Sequence, residues 1–278
     1  MMEFALLASG SKGNSFVLLD EDTKIMVDCG TSKKHLLSSL ARIDVKKEEL
    51  DALLITHDHS DHVSQIRHFA DTAIYSPVEI PDMETFSVRP MQKFNIGSLV
   101  ITPIALSHDA RNTTGYIFES GTEKLVYITD TGYVNRKYYP LLEDMDYIVL
   151  ESNHDVEMLM KSRRPYYLKS RICSDEGHLN NEDCAAILDS IITKRTKMVV
   201  LAHISQEANT REKALEVTCE VLKRRKNTLN PELIVSAAGQ YEMIRKGTSN
   251  EKTDPGSVSC TPCMEYMADL KAEQLSLY

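Results

Sequence analysis

Short apolar runs set between polar turns dominate the first half of the chain. EFALLA (3–8) and NSFVLL (14–19) flank the turn SGSKGN and read as two strands, with KIMVD (24–28) as a third. Apolar residues at helical spacing predict a helix over 32–42, and ALLIT (52–56) predicts a buried strand. Ser60 is placed to cap a helix running through VSQIRHFA. Further strands are predicted near 73–76, 98–106, 114–119, 124–129 and 146–150. The second half alternates: helix 180–193, strand 197–202, helix 209–226, strand 232–236. Strands first and mixed elements afterwards favour a layered αββα arrangement over a doubly wound sheet. The polar stretch GTSNEKTDPGSVS (247–259) predicts a linker. The expected division is therefore a domain over 1–246 and a tail over 247–278, where Met264, Met267 and Leu270 recur at helical spacing.

With 278 residues, 42% of them hydrophobic, the chain can bury a core that needs no staples. The start MMEFALLASG has no basic segment followed by a long apolar run, and runs such as MVVLA (198–202) are far too short to span a bilayer, so a cytoplasmic protein with no membrane partner is expected. A formal net charge of −9 counts against coating nucleic acid by charge alone, but leaves room for local phosphate reading. Of six cysteines, only Cys260 and Cys263 form a CxxC. A single such pair predicts plain thiols rather than a zinc or redox site.

The segment ITHDHSDHV (55–63) changes the picture, because three imidazoles and two carboxylates fall within six residues. Charged together, the imidazoles repel; buried without partners, they lose hydration. A divalent cation resolves both, and neutral imidazoles with carboxylates suit zinc, manganese or iron. His57 and His59 are two apart at a strand end and point the same way, while Asp61 and His62 open the next helix and can serve a second, adjacent ion. Further candidate ligands stand at later strand ends: His108 after LVITPIALS, Asp130 after VYIT and His203 after MVVLA. Such ends are where α/β folds keep their sites.

The order HxHxDH, then His, Asp and His, resembles the metallo-β-lactamase superfamily, over roughly residues 3 to 246. The resemblance implies the αββα four-layer sandwich and two divalent ions (Zn or Mn, with Fe also suitable). His57, His59 and His108 would hold one, Asp61, His62 and His203 the other, with Asp130 bridging. An aspartate before Thr131, where some lactamases carry a cysteine, suits the hydrolase and nuclease branches. LASGSKGNS (7–15), VDCG (27–30), SHDA (107–110), TDTGYV (129–134), ESNHDVEML from Glu151, and GHLNN (177–181) are similar to the YycJ/WalJ branch, also called VicX. That branch implies a DNA exonuclease acting from 5′ ends of double-stranded DNA and accompanying a two-component regulatory system. The order Glu151, His178, His203 also resembles ribonuclease Z, which implies that His178 protonates the leaving oxygen and Glu151 orients it.

The chemistry expected is hydrolysis of a phosphodiester. Two divalent ions about 3.5–4 Å apart can share a hydroxide at neutral pH. Asp61 could accept the proton of that water, and His178, kept charged beside Glu151, could supply the leaving oxygen. For substrate holding, the turn SGSKGN offers Ser11, Lys12 and Asn14. KSRRPYYLKSR (161–171) carries Arg163, Arg164 and Lys169 among others, with Tyr166 and Tyr167, and no acid, so it can attract phosphates and stack on bases. His154 is either a substrate contact or the cap of its helix. KRRK (223–226) ends a helix, where cations favour the dipole. A thioesterase, a small cyclic-phosphodiester hydrolase and a non-catalytic regulatory scaffold are the alternatives to a DNA phosphodiesterase.

Overall fold

The computed structural model describes residues 1–246 and 258–260. Two sheets pack face to face. The first holds β1 (Glu3–Ala8), β2 (Ser15–Asp20), β3 (Thr23–Val27), β4 (Ala52–Leu54), β5 (Ala73–Ser76) and β6 (Phe86–Ser87), side by side in chain order. The second holds β7 (Phe94–Ile96), β8 (Leu99–Ala105), β9 (Thr114–Ser120), β10 (Glu123–Ile128), β11 (Tyr147–Glu151), β12 (Met198–Ala202) and β13 (Ile234–Ala237), again in chain order. β14 (Ile244–Lys246) returns to the first sheet beside β1, and β15 (Val258–Cys260) pairs with β13. Helices α1 (Lys33–Arg42) and α2 (Ser60–Val63) belong to the first half. The second half carries α3 (Tyr139–Leu142), α4 (Val156–Lys161), α5 (Tyr166–Ile172), α6 (Asn181–Ile191) and α7 (Arg211–Lys223).

The layering follows from the two-residue period of each strand. On β1, Phe4 and Leu6 enter the core between the sheets, while Ala5 and Leu7 face Leu36 and Leu40 of α1. On β11, Tyr147 and Val149 enter the same central core, while Ile148 and Leu150 pack with residues of α6 and α7. Strands covered on both faces are apolar at every position, which is why runs such as MVVLA show no alternation. Aromatic rings tie the two sheets together: Phe16 lies 5.7 Å from Phe4 and 5.0 Å from Tyr127, and Phe4 lies 5.5 Å from Tyr147 between ring centroids. This is the four-layer αββα sandwich expected from the sequence.

Strands β10 to β13 are mutually parallel, so their carboxyl ends share one edge, and β8 runs the same way with antiparallel β9 between it and β10. Glu151 ends β11 at that edge, and the loops leaving it carry His108, Asp130 and His203.

Several local expectations differ. Ser60 is not a cap; His59 takes that position, and α2 is a single turn followed by a 3₁₀ turn over Ile66–Phe69. Backbone bonds from Asn14 N–H to the Asp61 carbonyl and from Cys29 N–H to the His62 carbonyl hold the segment against the first sheet. The basic segment 161–171 comprises the last residue of α4, a short connection and most of α5. Within the stretch expected as a linker, Val258–Cys260 add an edge strand, and Cys260 is disulfide-bonded to Cys219 of α7. Of the CxxC expected to be plain thiols, Cys260 is thus corrected, because α7 and β15 both pack beside β13 and bring distant cysteines together. Cys263, Met264, Met267 and Leu270 lie outside the described residues. Among the described residues no helix is long and apolar enough to cross a membrane.

Candidate metal centre and catalytic site

Seven side chains from both sheets meet at the shared edge. His57, His62, His108, Asp130 and His203 are buried; His59 and Asp61 are partly exposed. Asp130 is the hub. Its Oδ2 lies 3.2 Å from His62 Nε2, and its Oδ1 lies 3.4 Å from His203 Nε2 and 4.0 Å from His108 Nε2. The rings of His57 and His62 are 4.0 Å apart, and those of His59 and His108 are 5.2 Å apart. Asp61 Oδ2 sits 3.7 Å from His62 Nε2. All seven residues expected to be ligands are therefore brought together.

The donor set fits divalent cations on this structure's own terms. The potential ligand atoms of His57, His59 and His108 lie within 4.8 Å of one another, as do those of His57, His62 and Asp130. His57 Nε2, His203 Nε2 and Asp130 Oδ2 are buried without a hydrogen-bond partner, and leaving such groups unpaired is costly. The electrostatics point the same way. Burial works against a charged His203, yet Asp130 and Glu151 overcome it and raise its pKa to about 9. Burial works against ionised Asp130, yet His203 and His62 hold it well below the usual carboxylate range. Burial, and then His62, keeps His57 neutral. The cluster thus has a strong demand for positive charge at its centre, and a cation meets it while leaving the imidazoles neutral.

A surrounding layer orients these ligands. His62 Nδ1 donates to Asp28 Oδ2 at 2.8 Å; Thr56 adds its hydroxyl at 2.8 Å and its N–H to Oδ1 at 2.9 Å. His62 Nε2 is left facing Asp130. His108 Nδ1 donates to the Gly177 carbonyl at 3.0 Å, freeing its Nε2. His203 Nδ1 donates to Glu151 Oε1 at 2.8 Å, and its N–H donates to Ser9 Oγ at 2.7 Å. Such partners set the tautomer and the ring direction. Asp28, Asp130 and His203 all adopt positive φ (57°, 59° and 54°), a conformation uncommon for non-glycine residues and typical of sites where the fold imposes it.

Glu151, fully buried at the end of β11, serves two histidines with one oxygen: His178 Nδ1 lies 2.7 Å away and His203 Nδ1 2.8 Å away. Its Oε2 accepts the Thr131 N–H at 2.8 Å. Burial raises its pKa, but His178 and His203 outweigh that and bring it down to about 2. One potential ligand atom from each of Asp130, Glu151, His178 and His203 also lies within 4.8 Å of the others. We read Glu151 as an orienting group instead, because both imidazole Nδ1 atoms already occupy its oxygen.

The expected substrate residues fare unevenly. Ser11 and Lys12 are exposed on the turn between β1 and β2. Asn14 is not available to a phosphate: its buried amide donates to the Gly10 carbonyl at 3.2 Å and reaches His62 Nε2 at 2.9 Å, bracing the turn against the cluster. His154 is also buried, with Nε2 3.7 Å from Cys173 Sγ, so it contacts no substrate from there; nor does it cap α4, because Asp155 does. In the basic segment, Arg164 pairs with Glu207, Lys161 with Glu157 and Arg171 with Asp109, and Lys169 donates to the Met160 and Ser162 carbonyls. Arg163 is exposed, and Tyr166 and Tyr167 stand out at 80% and 75% exposure. Glu207 is held below its ordinary range by Arg164 first, with Lys12 contributing, so the turn and α5 share one rim.

Asp28, Thr56, Ser9 and Asn153, whose amide donates to the His203 carbonyl at 2.8 Å, went unread in the sequence as parts of the site; only the strand-end position of Asp28 in VDCG carried a signal. Gly30 is a further case. A Cβ there would stand 1.6 Å from the Asp61 carbonyl oxygen and 1.9 Å from its carbon. Gly30→Ala is expected to push the Asp61–His62 backbone outward and to weaken metal binding by about 10–100-fold. Titration of the metal-stripped variant by calorimetry checks this, and unchanged affinity would contradict it.

The profile of the beta-lactamase superfamily domain matches residues 23–204. Exodeoxyribonuclease WalJ of Streptococcus pneumoniae is 36% identical over 230 residues, covering 76% of this chain and 85% of that protein. Exodeoxyribonuclease YycJ of Bacillus anthracis is 34% identical over 240 residues, covering 81% and 90%. Among solved structures, the metallo-beta-lactamase fold protein YhfI from Bacillus subtilis superposes with a TM-score of 0.66 at 17% identity, covering 88% of this chain and 99% of that one. Human tRNase Z, short form, gives 0.53 at 18% identity, covering 73% and 93%. The family profile, the two relatives and a buried cluster built to hold cations together place this chain in the metallo-β-lactamase superfamily of metal-dependent hydrolases, in the branch that contains those two relatives.

Proposed function

We propose that the chain is a DNA exonuclease that trims double-stranded DNA from its 5′ ends with the help of two divalent ions, zinc or manganese being the best suited to the donors. His57, His59 and His108 would hold one ion, and Asp61, His62 and His203 the other, with Asp130 between them. When bound, such ions lower the pKa of water toward ~7 and neutralise charge on a phosphodiester. The observation that carries the reading is the convergence of three buried, unpartnered ligand atoms, on His57, His203 and Asp130, beside His178 at the same sheet edge.

The chain's own groups divide the remaining work. Asp61 is 24% exposed and stands at the cluster's open side, where it can take a proton from the attacking water. Glu151 fixes His178 through Nδ1, leaving Nε2 to pass a proton to the departing oxygen. Lys12, Arg163, Tyr166 and Tyr167 line the rim that a nucleic acid would meet. The two relatives named as exodeoxyribonucleases support DNA as the polymer.

The test is digestion of 5′- and 3′-end-labelled duplex DNA, RNA and a thioester, with Mn²⁺ present. Release of label as mononucleotide from the 5′ end, with the other substrates slower, is the expected result. Turnover of the thioester alone would overturn the nuclease reading.

A further inference from the structure

Asp109 and Arg171 have no place in the scheme above. Asp109 follows His108, and its carboxylate lies over the open face of the three-histidine group: Oδ1 is 3.2 Å from His108 Nε2 and 3.8 Å from His59 Nε2. Its other oxygen, Oδ2, is in contact with the Arg171 guanidinium from the last turn of α5. A small cavity of about 120 Å³ lies at this junction, between His108 and His178 on one side and Arg164 and Arg171 on the other. An anion and a guanidinium therefore stand together where an incoming phosphodiester oxygen would approach His59 and His108.

We propose that Arg171 is a phosphate-binding residue for the DNA substrate and that Asp109 occupies its guanidinium until the phosphodiester replaces it. The proposal rests on the nuclease reading and names a substrate contact within it. A planar guanidinium recognises carboxylate and phosphate oxygens with the same bidentate geometry, so one can exchange for the other. The exchange is easy because the pair is weakly held: Arg171 is 56% exposed and Asp109 21% exposed, and ion pairs open to water contribute little. It also has a direction. The Asp109 carboxylate next to the cluster repels a phosphate, so its withdrawal and the arrival of the substrate favour each other. Arg171 sits on the same short helix as the exposed rings of Tyr166 and Tyr167, so α5 would meet bases at one end and a phosphate at the other. This gives the basic segment a specific role although most of its cations are already paired within the chain.

Equilibrium binding tests the proposal without turnover. The full chain, metal-loaded, is titrated against a duplex whose 5′-terminal linkages are phosphorothioates, at several salt concentrations. Arg171→Ala is expected to weaken binding by about 10-fold and to lower the slope of log K against log salt by about 0.9, the signature of one lost phosphate contact. Arg171→Lys should recover the slope and only part of the affinity, because an ammonium cannot bind in two places at once. Asp109→Asn should tighten binding several-fold, and that gain should vanish in the Asp109→Asn/Arg171→Ala double variant, since it acts through the freed guanidinium. An unchanged salt slope in Arg171→Ala would overturn the proposal, as would Asp109→Asn weakening DNA binding as much as Arg171→Ala does. Hydrolysis of bis(p-nitrophenyl) phosphate by the wild-type protein is run in parallel. If the wild type cleaves that diester but binds no DNA, the nuclease reading fails; if it binds DNA and the variants do not follow the pattern above, only the Asp109–Arg171 proposal fails.

Discussion

Asp130→Ala is expected to lower phosphodiester hydrolysis by at least ~10³-fold, a loss of about 4 kcal/mol or more in transition-state stabilisation. The reason is its position. Asp130 lies within 4.0 Å of nitrogens of His62, His203 and His108 at once, so it is placed to be shared between the two proposed cation positions. Removing it leaves the buried His62 and His203 without their common counter-charge, and the cluster loses its demand for positive charge at the centre. Elemental analysis of the purified variant should show metal content falling along with activity. Asp130→Asn keeps the shape but removes the charge, and should lose nearly as much activity with less loss of stability. A variant that kept full metal content and activity would remove the basis for a shared cation site.

The second large effect is expected at His178. His178→Ala should reduce kcat on DNA by about 10²–10⁴-fold, the usual range for a positioned proton donor. Metal content should hold, because the bond His178 makes is to Glu151 and its Nδ1 stands 3.8 Å from Asp130. The leaving group offers a sharper test. A p-nitrophenolate departs without a proton, so the defect of His178→Ala on bis(p-nitrophenyl) phosphate should be far smaller than on DNA. Equal defects on both substrates would show that His178 acts by shaping the site and not by moving a proton. Glu151→Gln should behave differently from His178→Ala. Glu151 orients His203 as well as His178, so this substitution should weaken metal binding, by about 10–100-fold, in addition to slowing turnover.

The metal cluster was legible in the sequence because its most informative part is local. HDHSDH confines four ligating side chains, His57, His59, Asp61 and His62, to one strand end and one helical turn, and backbone geometry alone directs them together. His108, Asp130 and His203 were legible for a more general reason: each follows an apolar run, and parallel strands deliver their carboxyl ends to one edge. Glu151 and His178 were found through a resemblance, and the structure joins them at 2.7 Å. The groups that orient the ligands were not legible. Asp28 meets His62 across 34 positions and Ser9 meets His203 across 194, and at such separations nothing beside either residue in the chain names its partner. Asn14 and His154 show the converse failure. Both looked available to a substrate, and packing turned both inward.

By itself the sequence determined the strand and helix order, the apolar faces that must be covered, and the residue types able to hold divalent cations. These depend on near neighbours, through the two-residue period of a strand and the 3.6-residue period of a helix. Only the tertiary structure decided which imidazole nitrogen faces the cluster, which cations of the basic segment remain open, and that Asp109 stands between Arg171 and the histidines. Those outcomes depend on contacts between segments far apart in the chain, where hydrogen-bond direction and burial, and not composition, select one arrangement.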